Sequence, residues 1–385
     1  MFWNFTYNNE KYVSWGSPRS LSEDQITDLS ADFSVPVYNG AMISPEESIG
    51  FFMQGDATLG LGDSIWLITF MRQIYRIKAR RRAKFLFYSG DSILNFYSLF
   101  TPSSWMLKRE YCTREEFDQI TYKLPALYYW HEQDQSKNRS DKSWVDNRSL
   151  LQRLYSWTGL EYEGLPDWGE FTKDEILYPS DGFWNHFGLN PKDKYVFFQW
   201  HSSGHSKNLS PAANVKLIKH IIKKYGYKVY VVGRLNSLDS LNSIPGCVSL
   251  SGKTEGRVLS LFSLAFNSEF IVCPDSAGVH LGEAYRVPTV CIMSTLPPSY
   301  IASKYKIPAF MYGSGKCGYK PCGVVHELPR HKCPEGTGDY CQVVTDVDLD
   351  LFDRCVETTM KNRIKYGSCE SENFYAAMNT PIVLG

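Results

Sequence analysis

The stretch over residues 268–295, SEFIVCPDSAGVHLGEAYRVPTVCIMST, constrains the fold more than any other part of the chain. Its first apolar run ends at Pro274 and Asp275, a helix-like segment follows through His280, and a second apolar run starts at Thr289. Short β-branched runs separated by a helical segment predict a parallel βαβ unit rather than a hairpin. The sequence therefore predicts an α/β fold.

The turn of this βαβ unit has two interpretations. Backbone N–H groups at the start of a helix are unpaired and carry partial positive charge, so residues 276–279 could seat an anion such as a diphosphate. Alternatively, Asp275 or Ser276 simply caps the helix. The residues of this stretch alone leave both interpretations open.

The same alternation of strands and helices fills the C-terminal half. Strands are predicted at residues 195–199, 227–232 and 247–250, and a helix that starts after Ser210 and ends at Gly226 separates the first two. This repeated order predicts a doubly wound parallel sheet, whose ligands bind at the carboxyl ends of the strands. Three polar turns fall at that edge: residues 202–207, 251–254 and 275–278. Hydroxyl groups, a lysine and a helix N-terminus can hold a diphosphate without a metal ion, so no catalytic magnesium is expected.

The N-terminal half contains one comparable turn. A strand is predicted from Ile49, followed by the glycine-rich sequence GDATLGLGD at residues 55–63 and by a helix over residues 65–74. Glycines at such a turn allow the backbone to approach a ligand closely. Asp63 either caps this helix or supplies a carboxylate to a cleft. Residues 1–46 are expected to form an irregular lead-in.

Charge and hydropathy favour some partners over others. The 385-residue chain has a formal net charge of zero, which gives no general reason to expect nucleic acid or a membrane surface. The basic run KARRRAK at residues 78–84 is either the solvated end of a helix or a contact for a phosphorylated or nucleic-acid acceptor. The N-terminus lacks the pattern of a signal peptide and no apolar run is long enough to span a bilayer, so a cytoplasmic location is expected.

Four cysteines form a second constellation, with the spacing C-x4-C-x10-C-x7-C. They lie in a segment poor in apolar residues, which four thiolates converging on one ion would order. A four-cysteine site suits zinc or iron equally well. The alternative is a set of separate cytosolic thiols, with His326 and His331 as substitute ligands. The candidate metal ligands are Cys317, Cys322, Cys333 and Cys341.

Taken in order and spacing, four motifs resemble the ADP-heptose:lipopolysaccharide heptosyltransferase family. They are GLGD at residues 60–63, SSGHSK at 202–207, LSGKT at 250–254 and PDSAGVHLGEAYRVPTV at 274–290. The resemblance covers roughly residues 50–75 and 195–360 and implies the GT-B fold, in which two Rossmann-like doubly wound domains face each other across a cleft. It implies an acceptor-side domain at residues 1–180 and a nucleotide-sugar domain at 190–345 that includes a metal finger at 315–343. Residues 346–385 would form a helix that crosses back, followed by a tail.

The resemblance also implies roles for individual residues. Asp63 stands where the family has the general base that activates the acceptor hydroxyl, and Lys207 would neutralise the diphosphate leaving group. Ala277 replaces a glycine usual in the family, and Arg234-Leu235 stand where a carboxylate toward the donor ribose is expected, which leaves the nucleotide and sugar open. The residues implied in donor binding are Gly60, Gly62, Ser202, Ser203, Lys207, Asp275, Ser276, Gly278 and His280.

The function implied is inverting transfer of a heptose-like sugar from an ADP-heptose-like donor to a hydroxyl of a protein or a glycan. Relatives of the family, the bacterial autotransporter heptosyltransferases, have a comparable cysteine finger that binds iron. Two alternatives remain: glycosylation of a modified base in DNA, and a catalytically silent nucleotide-sugar-binding protein of the same fold. The sequence does not determine the oligomeric state.

Overall fold

The computed structural model describes the C-terminal half of the chain almost continuously. It describes residues 164–169, 172, 174–202, 204–233, 236–254, 258–302, 304–317 and 341–367. In the N-terminal part it describes the backbone of seven strands, together with Leu61, Gly62, Ile65 and Thr69, which are helical. We refer to these four helical residues as the Gly62 segment.

A parallel six-stranded sheet organises the described C-terminal half. Its strand order is β10-β9-β8-β11-β12-β13, and every neighbouring pair is parallel. The chain therefore starts in the middle at β8, winds outward in one direction and then returns to wind in the other. The switch point between β8 and β11 is where sheets of this order bind their ligands. Its strands are β8 Tyr195–Gln199, β9 Lys228–Val232, β10 Cys247–Ser249, β11 Phe270–Pro274, β12 Thr289–Met293 and β13 Ala309–Tyr312.

Helices cover this sheet and shield its apolar strands, and β11 and β12 are buried along their whole length. Strands buried on both faces are read as continuous apolar runs, which is the pattern that identified them in the sequence. The described helices are α1 Asp174–Leu177, α2 Asp181–Phe187, α3 Pro211–Tyr225, α4 Val258–Phe266, α5 Ala277–Tyr285, α6 Pro298–Ile301 and α7 Leu349–Tyr366.

Helix α3 begins and ends where its sequence predicts. The Ser210 hydroxyl accepts the backbone N–H of Ala213, and Pro211 occupies the first turn, where its missing N–H does no harm. Gly226 ends the helix in the left-handed region, with φ of 70°. The buried face of α3, which includes Leu217, packs against the sheet.

The N-terminal part contains a second parallel sheet with the order β6-β5-β4-β7. This order repeats the first four positions of the C-terminal sheet, so each half of the chain is wound in the same way and the expectation of two Rossmann-like sheets is confirmed. The glycine-rich turn follows β4, the strand at the switch point. The strands are β4 Ser48–Phe52, β5 Lys84–Tyr88, β6 Arg109–Tyr111 and β7 Tyr122–Leu124.

The lead-in of residues 1–46, expected to be irregular, instead contains a three-stranded antiparallel sheet in the order β2-β1-β3. β1 Phe2–Tyr7 and β2 Glu10–Trp15 form a hairpin in which Tyr7 pairs with Glu10, and β3 Ile26–Asp28 pairs with the other edge of β1. The sequence signal is Asn8-Asn9 between two runs that alternate aromatic and polar residues, which suits a two-residue hairpin turn.

The last described helix, α7, packs along β12 and β13 at the edge of the C-terminal sheet. The Asp348 carboxylate caps it by accepting the N–H of Leu351. Its crossing toward the N-terminal half stays a prediction. Among the residues that the structure describes, no helix is long and apolar enough to cross a bilayer.

Candidate functional site

An ion pair lies at the switch point of the C-terminal sheet. The ammonium Nζ of Lys207, on the short 3₁₀ turn His205–Lys207 that follows β8, lies 2.9 Å from the carboxylate Oδ2 of Asp275, which follows β11. The Asp275 side chain is 6% exposed and that of Lys207 is 18% exposed, so the lysine lies nearer the surface. Two polar turns that lie far apart in sequence therefore meet where the fold predicts a ligand.

The start of α5 is held by a residue that the sequence did not single out. The side-chain Oε1 of Gln199, at the end of β8, accepts the Ser276 hydroxyl at 2.8 Å and the Gly278 backbone N–H at 3.1 Å. Its amide nitrogen donates to the carbonyl of His201 at 2.8 Å. The sequence signal is a polar residue at the end of an otherwise apolar strand.

This arrangement decides the question of helix capping. Ser276 occupies the N-cap position, but its hydroxyl accepts no helix N–H, and Asp275 is paired with Lys207. Gln199 supplies the capping acceptor from another strand. The interpretation of Asp275 or Ser276 as a simple helix cap is therefore wrong for both side chains.

Gly278 is required by packing at this position. A Cβ atom built on it would lie 2.7 Å from Cβ of Cys273 and 2.8 Å from Oε1 of Gln199. These distances are too short for any side chain, so a glycine is needed for α5 to approach β11 and Gln199. A role for Gly278 in donor binding stays a prediction.

The loop after β8 is closed by its own hydrogen bonds. The Ser202 hydroxyl donates to the carbonyl of Gly204 at 3.0 Å, and Oδ1 of Asn208 accepts the Ser202 N–H at 2.6 Å. The aliphatic part of Lys207 packs over Gly204. Ser202 therefore shapes the loop that presents Lys207, and its hydroxyl is already used within that loop.

The Gly62 segment lies against α5. A Cβ built on Gly62 would lie 2.8 Å from Cδ2 and 3.1 Å from Nε2 of His280, so the imidazole edge touches the backbone of the GLGD turn. On its other side, His280 Nδ1 shares a 2.7 Å hydrogen bond with the Tyr305 hydroxyl. His280 is 4% exposed. Motifs from both halves of the chain thus meet at one helix.

A buried carboxylate fixes the loop that carries Tyr305. Glu283 accepts the backbone N–H groups of Lys306 and Ile307 at 2.9 and 2.8 Å and the guanidinium of Arg286 at 2.6 Å. Burial raises the pKa of Glu283, and the charge of Arg286 together with these N–H groups opposes the rise only in part. This carboxylate therefore anchors the loop to α5 in a dry environment.

Three buried hydroxyls near the carboxyl edge of the sheet have no hydrogen-bond partner among the described residues. They belong to Ser206 in the Lys207 loop and to Ser294 and Thr295, which directly follow β12. Ser294 and Thr295 are 2% and 3% exposed. Because a buried hydroxyl without a partner is costly, these groups are candidates to receive polar atoms of a ligand.

The third polar turn does not join this site. Ser251-Gly252-Lys253-Thr254 follows β10, an edge strand two positions from the switch point, and the Lys253 ammonium lies 3.5 Å from the carbonyl of Phe187 on α2. Of the three polar turns predicted at this edge, the structure brings together those at Lys207 and Asp275.

Several predicted site residues lie outside the described residues: Gly60, Asp63, Ser203, Cys322 and Cys333. Cys317 and Cys341 are half-buried cysteines at the two ends of this segment. The Gly315 N–H donates to the carbonyl of Val343 at 3.0 Å, so the two ends of the cysteine segment lie side by side. The described residues contain no group of three or more potential metal ligands, so the metal finger stays a prediction.

Sequence comparisons identify no relative: no protein-family model matches the chain, and no curated protein matches it. Structural comparison, in contrast, finds solved structures with a similar fold. A glycosyl transferase family 9 protein from Veillonella parvula superposes with a TM-score of 0.53 at 12% identity, covering 83% of this chain and 97% of that one.

Two further structures match with TM-scores below 0.5. The match to ADP-heptose lps heptosyltransferase II from E. coli covers 84% of this chain and 100% of that one, at 14% identity and a TM-score of 0.41. The iron-containing dodecameric glycosyltransferase TibC from enterotoxigenic E. coli covers 82% and 73%, at 15% identity and a TM-score of 0.49. The Veillonella match confirms the expected fold: this chain has the two-sheet α/β architecture of a GT-B glycosyltransferase.

Proposed function

We propose that this protein is an inverting glycosyltransferase that moves a sugar from a nucleotide-diphosphate donor to an acceptor hydroxyl. The observation that carries the proposal is the Lys207–Asp275 ion pair at the switch point, beside a helix that also touches the GLGD turn. A cation and a helix start on one side, with a carboxylate-bearing turn on the other, suit displacement of a diphosphate. The fold shared with a glycosyltransferase supports the same class.

Lys207 is the proposed partner of the leaving diphosphate. As the anomeric carbon loses the bond to its phosphate oxygen, the electron pair remains on the diphosphate, and an ammonium ion stabilises that charge. Asp275 holds the ammonium in place at 2.9 Å before the donor binds. A lysine in this role needs no metal ion, so we propose transfer without catalytic magnesium.

Asp63 is the proposed general base. It follows Gly62, whose backbone lies against His280 on α5. A base takes the proton of the acceptor hydroxyl as its oxygen attacks the anomeric carbon from the face opposite the diphosphate. The proton then resides on the Asp63 carboxyl group, and the new glycosidic bond has inverted configuration.

The proposed donor is an ADP-heptose-like sugar and the proposed acceptor is a protein or glycan hydroxyl, both on the strength of the motif resemblance. Ser276, Ser202 and Gly62 stay proposed donor-site residues, with the loop-forming and packing roles described above. The hydroxyls of Ser294 and Thr295, which have no hydrogen-bond partner in the part of the chain that the structure describes, are further candidates to contact the donor.

We also propose that the cysteine segment holds one structural iron or zinc ion. Cys317 and Cys341 lie next to the closed base of the segment, where the Gly315 N–H bonds to the carbonyl of Val343, and two sulfur donors at that base suit either ion. Cys322 and Cys333 would complete the set of four. The ion would order the segment and take no part in the transfer.

A donor panel with two lysine variants tests the proposal. We expect one of the ADP-, UDP-, GDP- and CMP-sugars to raise the melting temperature, because a ligand that binds only the folded state stabilises it. Lys207→Met should weaken that donor roughly 10- to 150-fold, equivalent to losing one charged hydrogen bond of about 1.5–3 kcal/mol. Lys253→Met, in the neighbouring turn of the same sheet, is the matched control and should bind as the wild type does.

Catalysis is then tested with the acceptor present. Asp63→Asn should lower transfer by about 10²- to 10⁴-fold and leave donor affinity unchanged. Unchanged turnover in this variant would refute the assignment of the base. The contrary result is a wild type that binds the donor but neither transfers its sugar to any protein or glycan acceptor nor hydrolyses it. That result would identify a silent nucleotide-sugar-binding protein.

A further inference from the structure

His280 connects two parts of the molecule through opposite sides of its ring. Nδ1 is bonded to the Tyr305 hydroxyl at 2.7 Å, and the two rings are nearly perpendicular, at 88° with centroids 5.8 Å apart. The Cδ2–Nε2 edge faces the backbone of Gly62. The imidazole therefore fills the space between a tyrosine of the C-terminal half and the GLGD turn of the N-terminal half.

The loop that carries Tyr305 is held in a fixed position against α5. Glu283 lies one helical turn after His280 and accepts the N–H groups of the two residues that follow Tyr305, Lys306 and Ile307. Lys304, just before it, adopts a left-handed backbone with φ of 63°. Helix, loop and hydroxyl thus form one unit that fixes the orientation of the imidazole.

A second contact joins the same helix to the Gly62 segment. The Trp168 backbone N–H donates to the carbonyl of Ala284 on α5 at 2.7 Å, and its indole N–H donates to the Thr69 hydroxyl at 3.3 Å. Thr69 and Trp168 are both almost completely buried. The Gly62 segment is therefore connected to α5 near its middle by His280 and near its end through Trp168.

We propose that His280 and Tyr305 are positioning residues that set the turn bearing Asp63 relative to Lys207. The inference rests on the proposed function and assigns His280 to the alignment of the base rather than to the donor. Helix α5 is suited to this role because Asp275, which holds Lys207, lies next to its N-cap residue Ser276, and His280 is the fourth residue of the helix. One rigid element then connects Lys207 to Gly62, the residue that precedes the proposed base.

Alignment of this kind acts on the chemical step. A base must lie within about 2.6–3.2 Å of the proton it removes, and a displacement of about 1 Å can cost about 100-fold in rate. Loss of the Tyr305 hydroxyl removes the hydrogen bond that orients Nδ1 of the imidazole and so loosens the contact of the ring with Gly62. A donor ligand would behave differently, because its loss weakens nucleotide binding first.

The first test separates these two roles by kinetics. Tyr305→Phe should lower kcat for transfer about 10- to 100-fold, with the Kd for free ADP, or for the diphosphate of the preferred donor, changed less than about threefold. Tyr230→Phe is the matched control, because it also removes a tyrosine hydroxyl that bonds to another side chain. Its partner Asp193, at 2.9 Å, precedes β8 and so lies at the end of that strand opposite the Lys207 loop. An equal loss of nucleotide affinity, or an unchanged kcat, would overturn the positioning role.

The second test requires no activity and therefore distinguishes failure of this inference from failure of the proposed function. Gly62→Ala should lower the melting temperature by several degrees in the wild type, because the new Cβ meets the fixed imidazole. The same change in a His280→Ala background should cost about one degree or less, and in Tyr305→Phe an intermediate amount. Equal losses in all three backgrounds would show that the imidazole does not support the turn and would refute the inference.

Discussion

Removal of the Asp353 carboxylate should destabilise the C-terminal half, because this group joins two of its helices. Asp353 lies on α7 and its side chain is 10% exposed. It accepts hydrogen bonds from three residues of α3: His220 at 2.8 Å, Lys224 at 2.6 Å and Tyr225 at 2.6 Å. This one carboxylate therefore joins the last described helix to the first long helix of the domain.

The expected loss in the free energy of unfolding for Asp353→Ala depends on how far each of the three donors can regain water. Lys224 is about half exposed and regains water, so its bond is counted as nothing. His220 and Tyr225 each lose a bond to a charged group, worth about 1.5–3 kcal/mol. Because His220 and Tyr225 are only partly buried and regain some water, we expect a loss of about 2–4 kcal/mol in the free energy of unfolding, or roughly 4–12 °C in melting temperature.

The control is an exposed ion pair between the same two regions. Lys216 of α3 and Asp346, just before α7, lie 2.8 Å apart with side chains 43% and 56% exposed. Asp346→Ala should cost less than about 1 kcal/mol. Thermal unfolding followed by tryptophan fluorescence measures both variants, and equal shifts for the two would refute the argument from burial.

The Asp353 carboxylate should also make the stability of the protein depend on pH. Burial raises the pKa of Asp353, but the hydrogen bonds from Lys224, Tyr225 and His220 together outweigh burial and lower it below the usual value. Burial and the bond to Asp353 raise the pKa of Tyr225. A lowered pKa in the folded state contributes stability above about pH 4, the ordinary range of an aspartate, and loses it as the pH falls further. The difference between wild type and Asp353→Ala should therefore persist from pH 8 to pH 5 and shrink below pH 4.

Two further predictions concern packing and the cysteine segment. Gly282→Ala places a Cβ 1.8 Å from Oγ1 of Thr289, so α5 must move away from β12. We expect the free energy of unfolding, measured by thermal unfolding, to fall by about 3 kcal/mol or more. An unchanged melting temperature would contradict this close approach. Elemental analysis should find one iron or zinc per chain, lost in Cys317→Ser and kept in Cys355→Ser, whose thiol is buried in α7; metal-free wild-type protein would end the finger proposal.

The alternation of apolar runs and helical segments predicted much of the fold. Strands buried on both faces need continuous apolar sequence, and Ser210-Pro211 and Gly226 mark helix ends by local chemistry. At residues 1–46 the expectation of an irregular lead-in was wrong, because the alternation of aromatic and polar residues around Asn8-Asn9 is typical of a hairpin.

The candidate site was predictable in part. Lys207 and Asp275 were identified because polar residues that follow parallel strands gather at one edge of the sheet. Their direct pairing, and the separation of Lys253 from them, depends on strand order, which no local pattern contains. Tyr305 was missed because its partner His280 lies 25 residues earlier in the chain.

The sequence by itself determined that this chain alternates strands and helices, where many of those elements end, and which polar turns lie at the binding edge. Those properties depend on neighbours within a few residues: apolar periodicity, caps and turn formers. The tertiary structure alone decided that Gln199 caps α5, that Lys207 meets Asp275 and that His280 bears on Gly62. Each of these contacts joins residues more than 60 positions apart, and only the order of the strands in the sheet and the packing of the two halves of the chain bring them together.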